Sequence, residues 1–113
     1  MPRDPVVYLE DILGAIQKIH RFLGSQTFEQ FCADEKTIDA VVRNLEVIGE
    51  AAKKVPDELK NQTPTVDWKR MAGLRDVLIH AYFAVDNEIV WDVIRNKLPA
   101  LETEVRKLVE KAN

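Results

Sequence analysis

The sequence predicts an all-α protein, a single domain over residues 1–113 folded as an up-and-down bundle of four to five helices. Three observations carry that expectation. Apolar residues recur at three- and four-residue steps through most of the chain. Helix start and stop residues punctuate those stripes at regular intervals. No segment alternates apolar and polar residues with the period of a strand, and no internal repeat or low-complexity stretch interrupts the pattern.

The first helix starts at Asp4-Pro5, an N-cap acid followed by a proline at the first helical position. Leu9, Ile12, Leu13, Ile16, Ile19 and Leu23 form its stripe, and Gly24 stops it. His20 lies near that end, where orphan carbonyls favour a cation, and reads as a surface or capping residue. Thr27 to Phe31 form a short helical turn, and Asp34 caps the next long helix. Ile38, Val41, Val42, Leu45, Ile48, Ala52 and Val55 hold phase until Pro56, whose next residues start one further turn. Gly49 inside this helix costs up to about 1 kcal/mol relative to alanine, so a close approach by another element is expected there.

Residues 61–65, Asn-Gln-Thr-Pro-Thr, are the clearest loop. Asp67 caps a helix that is expected to run on through Leu-Arg-Asp-Val-Leu-Ile-His-Ala-Tyr-Phe, residues 74–83. Asp86 caps the next helix, with Ile89, Val90, Val93 and Ile94 as its stripe. After Pro99 a final helix carries Leu101, Val105 and Leu108.

Composition excludes several classes. Hydrophobic residues are 46% and charged residues 31%, ordinary for a globular domain. No apolar run approaches the roughly 18 residues of a membrane span, and the N-terminus lacks the pattern of a secretory signal. A lone cysteine, Cys32, permits no intrachain disulfide, fits a reducing cytoplasm and reads as a small semi-buried residue. There is no P-loop, dinucleotide fingerprint, CxxC or HExxH pattern, so no cofactor or metal is expected. Ser25, the only serine, has no base near it in sequence. The net charge of −3 argues against a protein that coats nucleic acid with its whole surface. Residues 51–80 nevertheless hold six Lys and Arg against four Asp and Glu, a local +2 in an otherwise acidic chain.

That basic block contains the chain's unusual feature. Arg75, Asp76, His80 and Tyr82 are threaded through its most apolar stretch. On a helix Asp76 and His80 share a face, whereas Arg75 stands about 140° away from His80 and reaches the same space only by its length. An ordinary intrahelical Asp–His pair with a surface arginine and a core tyrosine explains these residues as well as a cleft does.

The flanks add to this. Asn44-Leu45-Glu46-Val47-Ile48-Gly49-Glu50-Ala51-Ala52, then Asp67-Trp68, Gly73-Leu74-Arg75-Asp76, His80-Ala81-Tyr82-Phe83, Val85-Asp86 and Ile89-Val90-Trp91 together resemble the HEPN superfamily. The resemblance is strongest to its HepT-like branch of ribonuclease toxins, which pair with MNT-type nucleotidyltransferase antitoxins. It covers residues 6 to 110, and its specific part is 73–91. One departure is Asp76, where asparagine is frequent in the branch.

The resemblance implies a HEPN-type helical bundle that dimerises with itself and cleaves RNA without a metal, the motifs of two subunits lining one cleft. Arg75 and His80 would be catalytic, Asp76 would support His80, and Tyr82 would be the site of AMP attachment by the antitoxin. The chemistry is compatible. His80 can move a proton to or from a ribose 2′-hydroxyl, and Arg75 can hold phosphate oxygens with a planar fork. A 2′,3′-cyclic phosphate is the expected product. Arg43 and Glu50, close to Gly49, are candidates to line the same cleft, with an exposed helix face as the equal alternative. The rival to a ribonuclease is a non-catalytic helical module that binds a nucleotidyltransferase.

Overall fold

The computed structural model describes residues 4–74, 76 and 86–112. They form an all-α bundle whose long members are α1 (Pro5–Leu23), α3 (Glu35–Lys54) and α7 (Leu98–Ala112). Short helices α2 (Phe28–Cys32), α4 (Asp57–Lys60), α5 (Trp68–Ala72) and α6 (Asn87–Asp92) fill the connections.

The ends of α1 form as the sequence requires. The Asp4 carboxylate accepts the Val6 N–H at 3.0 Å, and Pro5 needs no partner at the first position. Gly24 closes the helix at φ 56, donating its N–H to the His20 carbonyl at 2.9 Å. Such a backbone angle favours glycine. Leu9, Ile12, Ile16 and Ile19 are fully buried, so the predicted stripe is the core face. His20 remains at the surface, 3.7 Å from Glu102, and ties the end of α1 to α7.

A compact set of polar contacts then turns the chain into α3. Thr27 and Gln30 satisfy each other's backbone in a capping box at the start of α2. Phe31 is fully buried and packs on Trp91 at a 5.4 Å ring separation. Asp34 caps α3 by accepting the Thr37 N–H at 3.1 Å and the Thr37 hydroxyl at 2.6 Å. It also accepts from the Gln26 amide at 3.0 Å, which links the end of α1 to the start of α3. The Thr37 hydroxyl, then the Gln26 amide and the Thr37 N–H, hold the Asp34 carboxyl below its usual 3.8.

At the opposite end, Tyr8 and Asp11 of α1 share a cleft with the C-terminal half of α3. The two helices therefore run antiparallel. Val41, Leu45, Ile48, Ala51, Ala52 and Val55 bury against the α1 side and the rest of the core.

The loop after α4 is anchored from inside. Thr63 is 2% exposed, accepts the buried Trp68 indole N–H at 2.9 Å, and directs its own hydroxyl to the Leu59 and Lys60 carbonyls. This one side chain fixes both the loop and the start of α5.

Four expectations change. The helix begun at Asp67 does not run unbroken into the polar stretch. It ends at Ala72, where the Gly73 N–H is shared between the Lys69 and Arg70 carbonyls, a tightened last turn. Helix resumes at Leu74 and Asp76. Pro99 does not separate two helices. α6, a π-helical turn (Val93–Lys97) and α7 follow one another directly, with Pro99 in the second position of α7. A proline ring meets the carbonyl four residues before it, and a widened turn relieves that contact. Ile89 is 42% exposed, because Val90, Val93 and Ile94 already occupy the core-facing side. Cys32, last in α2, is exposed rather than semi-buried, since Phe31 takes the inward position.

Two stability experiments check this account. Thr63→Val leaves the buried indole N–H without an acceptor and should lower unfolding free energy by about 1–3 kcal/mol in urea titrations. Asp34 has a depressed folded-state pKa, so its contribution is full above 3.8 and fades as pH falls through the lower folded value. Asp34→Asn should therefore lower Tm at neutral pH, and the gap to the wild type should narrow as pH falls below 3.8.

Candidate functional site

The most evident concavity among the described residues lies between α1 and α3, a cleft of about 460 Å³. That is within the size range of small-ligand sites. Helical spacing explains its walls. On α3, Arg43, Val47, Glu50 and Lys54 succeed one another at steps of four, three and four, so they share one face. Glu46 and Ala51 flank that stripe. On α1, Tyr8 and Asp11 are three apart and lie at the edge of the buried stripe.

The charges are ordered along the cleft. Arg43 and Lys54, eleven residues apart, stand about 16.5 Å from each other along the axis. Glu46 and Glu50 lie between them. Arg43 is largely exposed and approaches Glu46 only to 4.0 Å, and Lys53 approaches Glu50 at 3.7 Å. Contacts of this kind at the surface hold their partners weakly, roughly 0.2–1 kcal/mol each. The cleft thus offers cations at its ends and carboxylates in its middle. Val47 and Ala51 supply an apolar floor.

Of the residues singled out in the sequence, Arg43 and Glu50 meet here. Asp76 is helical and exposed. Arg75, His80 and Tyr82 lie outside the described residues. Tyr8, Asp11 and Lys54 were not anticipated as cleft residues. The signal for Lys54 was present, because it continues the Arg43–Val47–Glu50 stripe by one more step. Tyr8 and Asp11 carried none without knowledge of which helix packs on α3. Among the described residues, no cluster of three or more His, Cys, Asp or Glu side chains is arranged to hold a metal ion. No helix there is long and apolar enough to cross a membrane.

Comparison with known proteins decides the family. The model of the ribonuclease HepT-like family matches residues 12–108, nearly the whole chain. This protein belongs to the ribonuclease HepT-like family. A Methanocaldococcus jannaschii protein that carries a provisional RNase name is 45% identical over 111 residues, 97% of this chain and 92% of the relative. A Thermococcus cleftensis protein named "Probable ribonuclease HepT" is 44% identical over 108 residues, 96% of this chain and 98% of its own. A provisionally named RNase of Caldanaerobacter subterraneus is 39% identical over 109 residues, with 96% and 97% covered. No solved structure matches. The HepT-like assignment also accounts for the all-α bundle, which is the fold expected from the HEPN resemblance.

Proposed function

We propose that this HepT-like protein is an endoribonuclease that cleaves RNA through attack of a ribose 2′-hydroxyl on the adjacent phosphate, with no metal ion. The observation that carries this reading is the R-D-x-x-x-H-x-Y pattern, Arg75, Asp76, His80 and Tyr82, inside the span matched by a ribonuclease family.

The chemistry assigns one role to each side chain. His80 removes the proton from the 2′-hydroxyl or delivers one to the leaving 5′-oxygen. Arg75 keeps its charge at all relevant pH values and its fork matches two phosphate oxygens as negative charge builds. Asp76 supports His80 from one helical turn earlier. The bond formed is 2′-O–P and the bond broken is P–O5′, which leaves a 2′,3′-cyclic phosphate and a 5′-hydroxyl.

One arginine and one histidine make a sparse site. A homodimer with its two-fold axis beside the motif doubles both and concentrates positive charge in an acidic chain. The protein acts in the cytoplasm as the toxin of a pair, and an MNT-type nucleotidyltransferase is its antitoxin. AMP attached to the Tyr82 hydroxyl brings phosphate next to Arg75 and His80, repels RNA and fills the cleft.

The test uses an end-labelled RNA in EDTA, with intact mass confirming an unmodified Tyr82. Wild type should cleave, and His80→Ala should be slower by about 10²–10⁴-fold. Arg75→Ala should be similarly impaired. Absence of cleavage by the wild type across varied RNAs would replace this reading with that of a helical module that only binds a nucleotidyltransferase.

A further inference from the structure

The α1–α3 cleft has an order of charges that a simple phosphate groove would not have. Its described ionisable residues are Arg43 and Lys54 against Asp11, Glu46 and Glu50, which is −1 in sum. A bare phosphate backbone laid through the middle would face two carboxylates. A short piece of single-stranded RNA meets the same cleft differently. Its phosphates are spaced along the backbone, and between them a base can turn inward. Phosphates then fall at the cationic ends and a base at the acidic centre.

We propose that this cleft is a subsite for one splayed base of single-stranded RNA, selective for a base that carries an exocyclic amino group. This deepens the ribonuclease reading and rests on it. Arg43 and Lys54 take the flanking phosphates. Their separation of about 16.5 Å suits contacts to either side of an inserted nucleotide rather than to one phosphate. Tyr8 offers its ring to the base, the usual platform for an unstacked nucleobase. Val47 and Ala51 cover the far side. Glu50 accepts from the exocyclic amine, as acidic side chains do with the cytosine amino group. Uracil is disfavoured because its one ring donor lies between two carbonyl oxygens, which repel a carboxylate.

Cytosine and uracil provide the sharpest comparison, since they differ in the group at C4 and in the protonation of N3. The probes are fluorescein-labelled oligocytidylate and oligouridylate, titrated by anisotropy against protein carrying His80→Ala so that cleavage does not intervene. Oligocytidylate should bind roughly fivefold or more tightly than oligouridylate. Glu50→Gln should level that ratio, because an amide can also donate to a carbonyl. Arg43→Ala with Lys54→Ala should reduce the slope of log K against log salt by about 1.4, the loss of two phosphate contacts on a single strand. Lys69→Ala with Arg70→Ala, on α5 and outside the cleft, should leave the cytidine-to-uridine ratio unchanged. Melting curves confirm that each variant folds.

Equal affinity for the two oligonucleotides, or an unchanged salt slope in the Arg43/Lys54 variant, overturns the subsite. RNA cleavage together with equal affinities removes the subsite and keeps the nuclease. A clear cytidine preference without cleavage by the unsubstituted protein removes the nuclease and keeps the subsite.

Discussion

The antiparallel packing of α1 on α3 is the constraint on which the rest of this structure depends. Fully buried Leu9, Ile12, Ile16 and Ile19 from one helix meet Val41, Leu45 and Ile48 from the other. Together these seven side chains remove enough apolar surface from water to matter at about 25 cal/mol per Å². Their phase decides which residues are left at the margin. Tyr8 and Asp11 on α1, and Arg43, Glu50 and Lys54 on α3, form the cleft because they border the seam. A shift of phase in either helix would turn those side chains elsewhere and close the cleft with apolar ones.

The other elements keep that seam in register. Asp34 joins Gln26 to Thr37 across the turn between the two helices, so the antiparallel arrangement is fixed at its closed end. His20 and Glu102 bring α7 alongside the end of α1. Arg95 lies 4.8 Å over the Trp91 ring, and Trp91 packs on Phe28 and Phe31, so the widened turn before α7 is held against α2. Trp68 and Thr63 hold the segment that leads to Leu74, which is 3% exposed. The polar stretch thus begins from a buried, hydrogen-bonded base. For a site that needs an arginine and a histidine at fixed positions, such support matters as much as the two side chains themselves.

Much of this was legible in the sequence, and the particular residues show why. The stripes of α1 and α3 follow from spacing alone, because a buried helical face must repeat at three and four residues. Asp4, Asp34, Asp67 and Asp86 mark helix starts through a local hydrogen bond that depends on few distant contacts. The exceptions depend on packing. Pro99 looks like a boundary, and only the π turn before it allows the helix to pass through. Ile89 and Cys32 take positions set by neighbours that outcompete them for the core, Val90 and Phe31. Arg43 and Glu50 were within reach because they lie near Gly49 on one helix. Tyr8 and Asp11 were not, since a cleft between helices is visible only once the pairing is known. The catalytic reading rested on a different kind of signal, the R-D-x-x-x-H-x-Y pattern and its flanks, and the HepT-like family match supports its general direction.

The central claim is that the RNA supplies its own nucleophile. The most direct measurement is cleavage of an RNA oligonucleotide beside the same oligonucleotide carrying a single 2′-deoxynucleotide at the scissile position, with the product ends identified by mass. The account predicts a 2′,3′-cyclic phosphate from the first and no cut at the substituted position in the second. Cleavage at that position without the 2′-oxygen would mean that water or a protein group attacks the phosphate, and would contradict it.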